Sequence, residues 1–315
     1  MKNKYILAIL LTLFTVTASA CQMRTEQTTP QKESTVLDEG TSDSPDDGTS
    51  KEGTDSTDDM DSKDDAAPDA SSEDDSFIME EQSLLEYEGL SLKALSWDSE
   101  SAALKVQAEN SSDKDYIIQF IDTSVNDFMI ESGFSMNVTA KAQAEKDAEF
   151  SLTDLDSCGI NDVVQIQTKV LVLDSISFDT VYTSDVVTIQ TGDPSSQQVY
   201  DESGDILYEE NGLKIVSLGF LDDSNHGKLW KLYIANDSGQ DYFFYSPDVT
   251  LNGNTMDVLF SVTVPDGKKA VGSMTIFQDD LDKYEITDIT SAQMALKLQN
   301  PETFETIQTI NINLG

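Results

Sequence analysis

The sequence predicts an all-β protein in which two β-sandwich domains follow a disordered acidic linker. Three observations carry that prediction. Apolar and polar residues alternate over short runs, and no long segment has helical spacing. One unit of sequence occurs twice. Residues 22–82 hold twenty acidic and four basic side chains, with almost no aromatic or branched aliphatic residues, which is the composition of a chain that does not fold.

The chain opens with an export signal. Lys2 and Lys4 precede an apolar run from Tyr5 to Val16, and Thr17-Ala18-Ser19-Ala20-Cys21 follows. That is the three-part layout of a signal peptide over residues 1–20. The run is shorter than the roughly 20 residues that a membrane-spanning helix needs. Ala18-Ser19-Ala20 is an A-x-A cleavage site, which is compatible with a freely secreted protein. With Cys21 next it also resembles a lipobox, although Ala18 stands where Leu is usual. We read Cys21 as the lipid attachment site, because a charged, structureless segment follows it and such stalks suit surface anchors. The expected location is the extracellular face of the cell membrane, with the membrane engaged through that lipid.

Residues 21–82 then form a lipid-anchored disordered stalk. Its like charges repel and extend it, and too little apolar surface is present to offset the entropy of ordering. A diffuse acidic run of this kind mainly solvates itself. Over the whole chain, 59 acidic residues against 19 basic ones leave a net charge of −40. Such a charge repels phosphates and excludes nucleic acid as a partner. The only arginine, Arg24, lies in the stalk, so no guanidinium fork for carboxylate or phosphate exists beyond it.

The repeat spans residues 83–191 and 207–315, with 192–206 as a hinge that includes Gly192-Asp193-Pro194-Ser195-Ser196. Asn110-Ser111-Ser112-Asp113-Lys114-Asp115-Tyr116 matches Asn236-Asp237-Ser238-Gly239-Gln240-Asp241-Tyr242, an offset of 242 − 116 = 126. The same offset pairs Asn126 with Asn252, Phe134 with Phe260, Ile160 with Ile286 and Phe178 with Phe304. Tyr87-Glu88-Gly89-Leu90 opens the first copy, and Tyr208-Glu209-Glu210-Asn211-Gly212-Leu213 the second. Leu104, Val106 and Ala108 alternate with Lys105, Gln107 and Glu109. Trp230, Leu232 and Ile234 alternate likewise with Lys231, Tyr233 and Ala235. A period of two places one set in a core and the other in water. Further strands are expected over Val163–Asp174 and Ile289–Asn300, and closing strands near Val186–Thr191 and Ile307–Leu314. Seven or eight short strands per copy fit an immunoglobulin-like sandwich. A helical turn is expected near Asp154–Asp162.

With Glu109-Asn110-Ser111-Ser112-Asp113-Lys114-Asp115-Tyr116, Ser124-Val125-Asn126-Asp127 and Gly159-Ile160-Asn161-Asp162-Val163, residues 83–315 resemble a group of uncharacterised Gram-positive surface lipoproteins with tandem immunoglobulin-like domains. The resemblance implies a lipobox, a polar stalk and a sandwich fold. It implies no activity, since fold alone supplies none.

Few residues invite chemistry. His226 is the only histidine and lies in a turn-like stretch, Asp222–Gly227; the first copy has no counterpart. Cys158 sits in an acidic context and aligns with Tyr284, so a buried free thiol is expected. Asp154, Asp156 and Asp162 recur as Asp280, Asp282 and Asp288. Closely spaced carboxylates are calcium ligands, but an EF-hand's glycine and distal glutamate are missing. Aspartate at the start of a helical turn is the plainer explanation. Tyr242-Phe243-Phe244-Tyr245 is the densest aromatic run, and alternation turns Phe243 and Tyr245 away from Tyr242 and Phe244. Phe243 and Tyr245 are either a platform for an envelope protein or glycan, or are covered by the neighbouring domain. No phosphate loop, paired-cysteine metal motif or nucleophile elbow occurs. The expectation is a non-enzymatic binding or adaptor module without cofactor. The alternatives are a structural spacer and an enzyme without a recognisable motif, and the latter requires a cleft with close, raised carboxylates. The anchor is tested by mass spectrometry of the mature N-terminus. A diacylglycerol adduct on Cys21 is expected, and Cys21→Ala should release the protein into the medium.

Overall fold

The computed structural model describes residues 77–315; the signal peptide, Cys21 and nearly all of the stalk lie outside the described residues. No described helix is long and apolar enough to cross a membrane. The described strands fall into two successive sets. The first comprises β1 (Gln82–Tyr87), β2 (Leu90–Asp98), β3 (Ala103–Asn110), β4 (Tyr116–Val125), β5 (Phe128–Met129), β6 (Ser135–Val138), β7 (Ala142–Glu149), β8 (Gln165–Asp174), β9 (Thr180–Thr183) and β10 (Val187–Gln190). The second comprises β11 (Asp205–Glu210), β12 (Leu213–Asp223), β13 (Gly227–Asn236), β14 (Tyr242–Tyr245), β15 (Asp248–Leu251), β16 (Asn254–Leu259), β17 (Ser261–Val264), β18 (Lys268–Phe277), β19 (Ala292–Gln299) and β20 (Thr306–Leu314). Short helices Leu152–Ser157 and Gln278–Lys283 occupy matching places.

Each set forms a sandwich. In the first, β1-β2-β3-β7 faces a sheet ordered β10-β8-β4-β5, with β9 on β8 and β6 on β4. In the second, β11-β12-β13-β18 faces a sheet in which β19 carries β20 on one side and β14 and β15 on the other, with β17 outside β14. The all-β, immunoglobulin-like class follows from this arrangement. The strand count exceeds the expected seven or eight because long strands are broken. β4 is continuous, whereas its counterpart divides into β14 and β15 at Ser246-Pro247, where proline has no N–H to give the ladder.

The repeated motif is structural. Asn110 and Asn236 end β3 and β13 and are fully buried. Asn110 donates to the carbonyls of Lys114 (2.7 Å) and Thr139 (3.1 Å), and accepts from the Ser112 N–H and hydroxyl. Asn236 donates to Gln240 and Val264, both at 2.8 Å, and accepts from the Ser238 N–H and hydroxyl. Asp115 then accepts from the Ala140 N–H, and Asp241 from that of Asp266. A second pair acts where the chain enters β8 and β19. Asn126 donates to the Asp162 carbonyl and accepts from Val164 and Gln165. Asn252 does the same with Asp288, Thr290 and Ser291.

The copies differ at their first hairpins. Glu88-Gly89 and Asn211-Gly212 form equivalent turns with positive φ, the conformation of a tight two-residue hairpin. A Cβ on Gly212 would lie 2.3 Å from the Asp237 carbonyl oxygen. By register, Leu85 and not Tyr87 is the equivalent of Tyr208, since Leu85 pairs with Leu92 and Tyr208 with Ile215. The β12–β13 hairpin is three residues longer than β2–β3, as the pairs Leu213–Asn236 and Leu90–Asn110 show.

One expectation is overturned. Tyr233 and Ala235 are buried, not wet, whereas the matching Gln107 and Glu109 retain solvent. Val216, Tyr233 and Ala235 belong to the first copy's apolar core. Residues at the β4–β5 turn and in the linker cover that face. Tyr233 stacks on Tyr200 at 4.9 Å, and Phe128 meets Tyr200 at 5.1 Å. The Lys269 N–H donates to the Asp127 carbonyl, and the Lys268 ammonium binds the Asp127 carboxylate at 2.9 Å. Residues 192–206, expected as a hinge, are mostly exposed and are tied down at a few points. Gln198 accepts from Asn161 of the first copy, and Glu202 accepts from Lys214 and the Tyr233 hydroxyl of the second.

Removing a buried amide leaves several backbone groups unpaired, at about 1–3 kcal/mol per unsatisfied group. Asn110→Ala and Asn236→Ala should each lower stability by about 2–3 kcal/mol, measured by urea unfolding of the full chain.

Candidate functional site

The outer face of the sheet containing β14 places side chains in rows set by its register. Phe243 lies between Thr263 of β17 and Gln299 of β19, and Gln299 pairs with Thr306 of β20. Tyr245 lies between Ser261 and Lys297, and Lys297 pairs with Thr309. Tyr242 and Phe244 point into the core, whereas Phe243 and Tyr245 are half-buried. The two outer rings run nearly parallel, 14° apart with centroids 6.4 Å apart. Phe304, in the β19–β20 turn and 48% exposed, meets Phe243 edge-on at 5.3 Å. The Lys297 ammonium lies 5.9 Å from the Tyr245 centroid. Phe243 and Tyr245 therefore pack against Phe304 and Lys297 of their own copy. Sequence spacing singled out the two rings but missed Phe304, Lys297 and Gln299. Their proximity depends on how the β14–β19 and β19–β20 ladders pair.

The repeated aspartates are not brought together. Asp154 and Asp280 lie in the first turns of the two short helices, where negative charge complements free N–H groups. The first helix begins at Leu152, capped by the Ser151 hydroxyl, and ends at Ser157; it is shorter and earlier than the expected turn. Asp156 and Asp282 are single exposed or half-exposed carboxylates on those helices, and Asp162 and Asp288 contribute backbone carbonyls to Asn126 and Asn252. Among the described residues no three His, Cys, Asp or Glu side chains converge as a metal cage. Asp156 and Asp162 do line an open cleft of about 690 Å³ at one end of the first sandwich, walled by Phe77, Trp97 and Leu155. The carboxyl with a raised pKa is elsewhere. Partial burial of the carboxyl group, then repulsion from Asp122, pushes Glu131 up to about 7, although the residue as a whole is exposed. Glu131 does not line that cleft.

His226 sits in the longer β12–β13 hairpin, its Nδ1 2.6 Å from the Asp223 carboxylate, with its ring largely exposed. No serine or cysteine is among its hydrogen-bond partners. Cys158 is buried and free, closing the helix Leu152–Ser157 against the second copy. Burial pushes its thiol up to about 12, with the Val271 backbone opposing and the Asp154 charge adding to the shift.

No family model matches this chain, and no curated protein matches it. Among solved structures it is similar to the YadV chaperone, at 11% identity and a TM-score of 0.24, over 72% of this chain and 100% of that one. It is also similar to a Salmonella enterica SafA pilin in complex with the SafB chaperone, at 9% identity and a TM-score of 0.23, over 73% of this chain and 98% of that one. Scores of that size carry no argument about activity or partner.

Burial holds the Cys158 thiol well above its ordinary pKa, so little of it is thiolate at pH 8. In Cys21→Ala protein, Cys158 should resist a thiol reagent at pH 8 in the native state and react fully in urea. Rapid native labelling would contradict the buried assignment.

Proposed function

We propose that this is a non-catalytic, surface-tethered binding module. It presents the outer face of β14, β17, β19 and β20 to a component of the cell envelope. The observation that carries the reading is that Phe243 and Tyr245, though half-buried, still reach the surface, with Phe304 beside them. Aromatic rings kept at a folded surface are costly to leave in water and characteristic of recognition. Export and lipidation at Cys21 would set the module at the extracellular face of the membrane, with the acidic stalk as its spacer. The net charge of −40 directs it away from nucleic acid and toward a protein or glycan partner.

The contacts between the copies favour a second reading, a structural spacer. Glu202, Tyr200 and Asp127 hold the copies together through several contacts, which suits an element that transmits position and has no specific ligand. Capture with the full chain separates the two. Cys21→Ala protein is immobilised and incubated with solubilised envelope proteins and with cell-wall glycans. Saturable binding should fall at least tenfold in Phe243→Ala/Tyr245→Ala, while the unfolding midpoint changes little. No saturable binding in any fraction would leave the spacer reading standing.

A further inference from the structure

We infer that the face of β14, β17, β19 and β20 takes a neutral polysaccharide. This rests on the binding-module reading and narrows it to one chemical class. The first observation is charge. No Asp or Glu occurs in Tyr242–Tyr245, Ser261–Val264, Ala292–Gln299 or Thr306–Leu314, in a chain with 59 acidic residues. The outward residues of these strands include Phe243, Tyr245, Thr263, Gln299, Thr306 and Thr309, with Ile307 also exposed and Lys297 the lone charge. Carboxylates reappear at the margins, with Asp248 opposite Asp257 on β15 and β16, and Glu302 and Glu305 in the β19–β20 turn.

The second observation is the mix of groups. A sugar ring has apolar C–H faces and a rim of hydroxyls that each donate and accept. Aromatic rings cover the first. Amides and hydroxyls supply both hydrogen-bond roles for the second. Here two aromatic side chains stand in rows with Gln299, Thr306 and Thr309. Four strands at about 4.8 Å spacing give a face about 14 Å across, which fits a chain of sugars better than a single ring. The face is a broad, strand-built surface, as an extended polymer needs.

Charge argues against the other occupants. An anionic polysaccharide would meet one lysine and a molecule of net charge −40. A second copy of this chain would bring another −40 against it. Binding a neutral chain desolvates no carboxylate on these four strands and so avoids the largest penalty of burial. The first copy lacks the platform: Ile117 and Gln119 stand at the ring positions, and Leu171 and Leu173 at those of Lys297 and Gln299. Each chain therefore carries one site, on the second copy.

Affinity electrophoresis of full-length Cys21→Ala protein tests it, in native gels containing dextran, laminarin or hydroxyethylcellulose, with polygalacturonate as the anionic probe. Retardation is expected in at least one neutral gel. The apparent Kd should rise tenfold or more in Phe243→Ala/Tyr245→Ala, severalfold in Gln299→Ala/Thr309→Ala, and less than twofold in Lys297→Ala. The second pair keeps the test valid if the aromatic variant fails to fold. Retardation in polygalacturonate alone, abolished by Lys297→Ala, would overturn the neutral class. Unchanged retardation in both variant pairs would overturn the location. Self-association in sedimentation velocity, lost with the rings, would assign the face to a second copy instead. No retardation in any gel, with capture of an envelope protein still dependent on Phe243 and Tyr245, would sink the glycan and leave the binding face. Loss of both would sink both readings.

Discussion

Everything in this fold depends on satisfying the backbone where the chain leaves one sheet for the other. At that crossing, carbonyl and N–H groups are turned inward with no ladder partner, and burying them unpaired is costly. Asn110 and Asn236 meet this demand with one side chain each, since an amide both donates and accepts. Asn126 and Asn252 repeat the solution at the start of β8 and β19. With those four points pinned, the register of each sandwich is set, and so is the identity of the residues facing outward.

Duplication then allowed the same face to take different roles. The outer side of β3 carries Lys105, Gln107 and Glu109 and faces water. The matching side of β13 carries Lys231, Tyr233 and Ala235, and the first copy sits on it. Asp127 shows how a turn was adapted to that contact. It holds a left-handed φ of 70° where the second copy has Gly253 at 83°. Aspartate tolerates that conformation better than most side chains, and its carboxylate binds Lys268.

Charge is distributed as unevenly as the apolar groups. Residues 22–82 and the outer face of the first sheet are strongly charged, whereas β14, β17, β19 and β20 contain no carboxylate. Mutual repulsion keeps such an acidic protein soluble. Against that background these strands form a surface with half-buried rings and one charge, Lys297, where contact carries a small electrostatic penalty. The buried thiol of Cys158 and the exposed ring of His226 lie outside that surface, in the contact between the copies and in the longer hairpin.

The sequence by itself determined the all-β class, the duplication and the alternation within each strand, because these depend on local period and on a constant offset between matching residues. It also singled out Phe243 and Tyr245, since alternation around buried Tyr242 and Phe244 is a local property. It misassigned Tyr233 and Ala235, because period two states only that two faces differ; whether the second is wet depends on what lies across it. Within residues 192–206, the contacts of Tyr200 and Glu202 were likewise illegible, because their partners lie further along the chain. Phe304, Lys297 and Gln299 became part of the aromatic face only through the pairing of β14, β19 and β20, which are distant in sequence. Long-range register and the seating of one copy on the other are tertiary properties, and they alone decided which surfaces remain free.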